Sequence, residues 1–272
     1  DPVVRHFGAV TITEYSDKTV AEIDGDYTGP DTVRIENGIK VDEVVFNRNF
    51  EVGKMSTIML PFSIDTSKVK GGKIYRFKRV DVDGEKWSVK IGRIYTEQIG
   101  ANTPYMIMPT STELTFEGPV VLNTTTESVE ELNSDLWEFR GTHSYVTFKE
   151  DPLLGRIFGF AGQERDGATV GKFVRAGSGA WINPLRAYLI NHEAVLAKTQ
   201  GSLHGQTLSN LPTVIDVEFV DDDNNVISVG KLNTATGEFL MDRWFDLNGR
   251  KLNAKPTTHG TYFHNGKRVI VK

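Results

Sequence analysis

The 272-residue chain contains no cysteine, which excludes disulfides, thiolate metal sites and cysteine nucleophiles but leaves an exported and a cytosolic life equally open. It also lacks a strong charge of either sign. With 31 Lys and Arg against 36 Asp and Glu, the formal charge is -5, so there is no basic footprint for nucleic acid, and no Lys/Arg cluster suits an anionic membrane surface. No apolar run approaches the length of a membrane-spanning segment. The opening residues Asp1-Pro-Val-Val-Arg-His6 have neither the basic nor the apolar region of an export leader. An exported chain would therefore be a mature form or a piece of a longer polypeptide, and the abrupt start within strand-like text favours the piece.

Catalytic signatures are missing as well. There is no Gly-x-Ser-x-Gly elbow, phosphate loop or dinucleotide fingerprint, and Gly177-Ser178-Gly179 is too short to cradle a phosphate. Glycoside hydrolysis needs two carboxylates facing each other across a cleft, and nothing in the sequence pairs any two of the many available.

What the chain does have is glycine, threonine and short alternating apolar segments, with 26 Gly and 39% hydrophobic residues. That composition predicts an all-β protein. The expected layout is a large β-sandwich-like module over 1–197, a polar linker over 198–212, and a small C-terminal β-sandwich or hairpin domain over 213–272. The pairs Val10/Ile12, Val20/Ile23, Val33/Ile35 and Ile39/Val41 alternate with evenly spaced turns, which fits a sandwich or a β-solenoid coil. Trp87, Val89 and Ile91 share one strand face and are expected in the core. Ser128 to Leu136 is the one expected helix, opened by a Ser128-x-x-Glu131 capping box.

The ligand-bearing candidates are few. Asp81-x-Asp83-Gly84 opens like a calcium loop, but the chain continues into a strand without further oxygen ligands, which favours a plain hairpin. Asp221, Asp222 and Asp223 form a better acidic cluster at a turn, although such hairpins are usually only solvated. His259 and His264 lack the third ligand that zinc needs. No cofactor or metal is expected. Among 4 Trp, 8 Tyr and 15 Phe, the rings with neighbours that argue for exposure are Trp181, beside turn residues, and Trp244, which alternates with Asp242 and Asp246. Tyr105 and Tyr145 follow. An exposed ring stacks on the apolar face of a sugar, and burial is the competing and favoured reading for each.

The last residues carry a resemblance. Trp244 to Leu252 reads as two strands around Asn248-Gly249, a turn expected to hold positive φ at both positions, and Gly260–His264 with Lys267–Val271 forms a second hairpin around Asn265-Gly266. Asp246-Leu-x-Gly249-Arg250-Lys, Gly260-Thr-Tyr262 and Asn265-Gly266-Lys267-x-Val-Ile-Val resemble the C-terminal sorting domain of the type IX secretion system. That form occurs on secreted and surface proteins of gut and rumen polysaccharide-degrading bacteria. The resemblance implies delivery to the outer surface by the secretion machinery, and nothing about catalysis.

Three upstream pieces resemble a module of the same proteins: Asn47-Arg-x-Phe50 with Ser56-Thr and Leu60-Pro-Phe62, Ala101-Asn-x-Pro-Tyr105, and Arg186-Ala-Tyr188-Leu. This resemblance implies a non-catalytic β module of adhesive or carbohydrate-active surface proteins. The expectation is therefore a secreted or surface-held module that binds polysaccharide and no nucleic acid. The competitors are a purely structural spacer and a carbohydrate-active enzyme with an acid pair that the sequence does not reveal.

Overall fold

The structure is a computed structural model that describes residues 1–125, 136–162, 170–192, 211–228, 231–232, 239–240, 244–252, 255–264 and 267–272. It is all-β and sandwich-like: among the described residues the only helical element is one 3-10 turn, Thr66–Lys68. The expected helix at Ser128 falls, apart from Leu136, outside the described residues.

A six-stranded sheet runs in the order Val3–Phe7, Val10–Glu14, Thr19–Asp24, Glu43–Asn47, Thr115–Phe116, Val69–Lys70. Its first three strands are an antiparallel meander, and only the third and fourth run parallel. The solenoid alternative is therefore not what forms. Gly8 sits at φ 58° and turns the chain straight back on itself, whereas a solenoid needs same-direction coils. Val33 and Ile35 are buried as expected but lie outside any strand.

The larger sheet runs Trp137–Thr142, Arg186–Asn191, Ile157–Phe160, Phe173–Arg175, Val214–Val220, Lys86–Arg93, Gly72–Asp83, Pro104–Pro109, Ser56–Met59, with Val226–Ser228 branching off Val214–Val220. Its two ends meet. Met59 donates its N–H to the Leu185 carbonyl at 2.9 Å, and Ala187 donates to the Thr57 hydroxyl at 3.0 Å. The sheet thus curls into a nearly closed barrel.

Two cores result, and they share a wall. Tyr105 and Ile107 pack into the core facing the six-stranded sheet, with Val10, Ile23, Phe46, Ile58 and Ile74. Met106 and Met108 point the other way, into the barrel interior with Phe77, Val89, Ile91, Trp137, Phe139, Phe158, Phe173 and Phe219. Every residue of Pro104–Pro109 is buried, as expected of a strand covered on both faces. Trp87 joins the barrel core as expected, partly buried and edge-on to Trp137 with ring centroids 6.0 Å apart.

The strand Val214–Val220 was expected to open the small C-terminal domain. Instead it lies inside the barrel sheet, parallel to Lys86–Arg93 with Val217 opposite Val89, and antiparallel to Phe173–Arg175. The chain just before it is tied in as well: Leu211 is buried, and the Arg175 guanidinium donates to the Pro212 carbonyl at 2.8 and 3.0 Å. A boundary at 213 thus falls inside a sheet. The physical reason is that its alternating residues serve both sides of the barrel wall: Ile215, Val217 and Phe219 enter the barrel core, while Asp216 and Glu218 on the other face pair with Lys172, Lys86 and Lys90 from neighbouring segments. The strands from 244 onward do form a sheet of their own, ordered Lys251–Leu252, Trp244–Phe245, Gly260–His264, Lys267–Val271.

Candidate functional site

The module motifs that lie far apart in sequence meet around Ser56–Met59. Arg48 donates to the Thr57 carbonyl at 2.9 Å and to the Ser56 hydroxyl, and its guanidinium lies 4.7 Å over the Phe50 ring. Burial pushes Arg48 well below the usual arginine range, and the nearby Arg186 charge adds to this while Asp26 opposes it. Arg186 donates to the Gly25 carbonyl at 3.0 Å and to Asp26 at 2.7 Å. Asn102 takes the left-handed backbone, φ 57°, that asparagine tolerates. Its N–H reaches the Leu60 carbonyl at 2.7 Å and its amide nitrogen the Asn123 carbonyl at 2.8 Å. The Asn102 amide oxygen lies 2.8 Å from His143 Nε2 and can only accept, so Nε2 carries the proton. Burial lowers the His143 pKa and keeps the ring neutral near pH 7. These motifs hold strands together.

The four ring candidates separate. Trp181 is 42% exposed, on a two-residue strand paired with Val146–Thr147, and the half-buried Tyr145 immediately precedes that partner strand. Tyr105 and Trp244 are each only 5% exposed. The Tyr105 hydroxyl accepts from the Gly100 N–H at 3.0 Å, inside the first core. Trp244 stacks on His264 with centroids 4.2 Å apart and an 18° interplanar angle. For these two the structure shows the burial that was the favoured reading, and their candidacy as exposed rings falls away. Trp244 has neighbouring strands on both sides, which its alternation with acidic residues did not reveal.

Two of the carboxylate candidates, Asp81 and Asp221, are engaged by their own chain. Asp81 accepts from Arg79 Nε at 2.9 and 3.0 Å, and Gly84 at φ 61° turns the hairpin that follows. Asp221 accepts from the Asn225 N–H at 2.8 Å, while Asp222 and Asp223 are exposed. Among the described residues no three His, Asp or Glu side chains are grouped to hold a metal ion. Two buried carboxylates are held by basic side chains. Glu218 meets Lys86 at 2.5 Å and also Lys90, and Glu138 meets Arg140 at 2.5 and 2.8 Å and also His192. Burial raises the pKa of both, but hydrogen bonds from these partners overcome it and hold both below the ordinary glutamate value.

The residues of the sorting resemblance form the last sheet. Asp246 accepts from the N–H groups of Asn248 and Arg250, each at 2.9 Å, and Gly249 alone takes positive φ, 76°. This is a turn of the ordinary hand followed by a glycine bulge, and not the turn with two positive φ values expected at Asn248-Gly249. The Asp246 carboxylate accounts for the difference by fixing the first bend. The exposed Arg250 follows it. Gly260 and Tyr262 lie on one strand, and the Tyr262 hydroxyl donates to the Thr258 carbonyl at 3.1 Å. Asn265 and Gly266 lie outside the described residues, and the backbone of Lys267 pairs with His264.

One open groove of about 580 Å³ lies at the end of the six-stranded sheet, lined by His6, Phe7, Gly8, Tyr27, Asp31, Thr32 and Arg34. Its two walls approach closely at Gly8, where any Cβ would stand 2.7 Å from the Asp31 carbonyl oxygen. No sequence motif marked it. The available signals were Tyr27 with the Gly29-Pro30-Asp31 turn, which read only as punctuation.

No family model matches the sequence, and neither a curated protein nor a solved structure matches the chain. The class that fold and site define is accordingly an all-β protein with a sandwich core, a barrel core and an open groove. Among the described residues no helix is long and apolar enough to cross a membrane.

Proposed function

We propose that this chain is a non-catalytic module, secreted or held at the outer cell surface, that binds plant polysaccharide through exposed rings and is delivered by a C-terminal type IX sorting signal. The observation that carries the binding reading is Trp181, a large ring left 42% exposed on a short two-stranded ribbon, with Tyr145 immediately before the partner strand. Leaving such a ring in water forgoes the stabilisation that burial would give it, and stacking on a pyranose face recovers that loss. The delivery reading is supported by the separate sheet that the sorting-type residues build after Trp244.

A passive spacer is the second reading, favoured by the convergence of the module motifs on packing around Ser56–Met59. Pull-down on insoluble cellulose and xylan separates the two. Retention of the wild-type chain, lost in Trp181→Ala, is the expected result, and no retention on either polymer overturns the binding reading. For delivery, a chain ending at residue 243 should stay inside the native host; its arrival at the surface would refute the sorting role.

A further inference from the structure

We infer that the groove between the Gly8 turn and the 27–34 segment is a binding site for a neutral sugar ring. Phe7 and Tyr27 present partly buried rings there, a surface on which the C–H face of a pyranose can lie. Beside them stand Asp31, an acceptor only when ionised, and Arg34, a donor only. Each sugar hydroxyl both donates and accepts, so a carboxylate and a guanidinium on one groove match it in both senses. His6 engages Thr11 through Nδ1 at 3.1 Å, which leaves Nε2 as the ring nitrogen for a ligand.

Charge decides against the alternatives. Asp31 opposes the Arg34 guanidinium, which also lies 4.0 Å from the Glu36 carboxylate, so the lip offers no net positive field and an anionic ligand would meet Asp31. The polar lip disfavours a lipid chain, whose burial leaves charged groups without partners. A volume of about 580 Å³ lies within the usual roughly 300–1,000 Å³ span of small-molecule sites.

The groove is preformed. Tyr27 Oη accepts from the Asp31 N–H at 3.3 Å, Val33 donates to the His143 carbonyl at 3.0 Å, and the Thr32 and Ser144 hydroxyls lie 2.7 Å apart. Ile35 donates to the Thr124 hydroxyl at 2.8 Å. Two glycines let the walls close: Gly8, already described, and Gly29, where a Cβ would stand 2.4 Å from the Tyr27 oxygen. Walls fixed before the ligand arrives cost little ordering on binding.

The ligand class rests on the polysaccharide reading, whereas the groove rests on its own geometry, and the test keeps them apart. Amide chemical shifts of the full chain are followed during titration with cellohexaose and xylohexaose, and with hexagalacturonate as the acidic control, for wild type, Asp31→Asn and Arg34→Ala. The expected result is shifts at residues 6–8 and 27–34 with a neutral oligosaccharide only, and affinity about tenfold weaker in each variant. Silence at those residues, shifts that neither variant weakens, or preference for the acidic sugar overturns the inference. Retention on insoluble polymer with a silent groove defeats the groove alone, and groove shifts without retention defeat the Trp181 surface alone.

Discussion

Glu138 and Glu218 show what this chain does with charges inside its sheets. Each carboxylate is buried and held ionised by its partners, Glu218 by Lys86 and Lys90, and Glu138 by Arg140 with a further hydrogen bond to His192. Because the folded pKa of both is below the unfolded value of about 4.3, their stabilisation is fully present above that value and is lost as pH falls through the folded pKa. Acid unfolding followed by tryptophan fluorescence should therefore steepen below about pH 4.3, and Glu138→Gln should flatten that limb. At pH 7 the same variant should cost about 1–3 kcal/mol in urea unfolding, at or below the usual cost of breaking a buried pair because Arg140 is partly exposed.

Close approach makes a second prediction at the residue scale. At Gly71, φ is 91° and a Cβ would stand 2.0 Å from the Glu113 carbonyl oxygen, a backbone atom that has little room to give. Gly71→Ala should cost about 3 kcal/mol or more through strain and overpacking together. A loss under about 1 kcal/mol by thermal unfolding would contradict the close approach.

At the scale of elements, Trp181 and Trp244 should respond oppositely. Trp181 sits on a short ribbon and is 42% exposed, so Trp181→Ala should shift urea stability by no more than about 1 kcal/mol while it abolishes retention on polysaccharide. Trp244 fills the face shared with His264, and its truncation should cost about 3–5 kcal/mol, enough to melt a four-stranded sheet. Proteolysis confined to residues beyond 243 would report that melting. The strand Val214–Val220 gives the complementary expectation. Ending the chain at residue 212 removes a central strand of the barrel and should abolish cooperative unfolding, whereas ending it at 243 should preserve it.

The whole molecule is a sandwich and a barrel that share a wall, and its strand order is dominated by distant pairings. Lys86–Arg93 and Val214–Val220 pair in parallel across more than a hundred residues, and the barrel closes through Met59 and Leu185. Refolding should therefore be slow, on the order of milliseconds to seconds or longer, as non-local β topologies are. A microsecond phase that recovered the full native fluorescence would refute this topology.

Much was legible in the residues themselves. Alternating apolar positions and turn glycines placed most strands, because side-chain period and turn chemistry are local properties: Asp81-x-Asp83-Gly84 read as a hairpin and is one. The convergence of Arg48, Thr57, Asn102 and Ala187 was not legible, since spacing within the chain says nothing of which strands become neighbours. The exposure of rings was half legible. Trp181 lies beside turn residues and is exposed, but Trp244 and Tyr105 are buried by strands that arrive from elsewhere.

By itself, then, the sequence determined the β class, where many of the turns fall, the absence of thiol chemistry and the near balance of charge, all of which depend on residue type and local order. Only the tertiary structure decided that Val214–Val220 belongs to the barrel, that Glu138 and Glu218 are ion-paired, and that His6, Tyr27, Asp31 and Arg34 line one groove. The reason is physical: burial, pairing and cavity shape are set by contacts between segments distant in the chain, and those contacts form only when the sheets close.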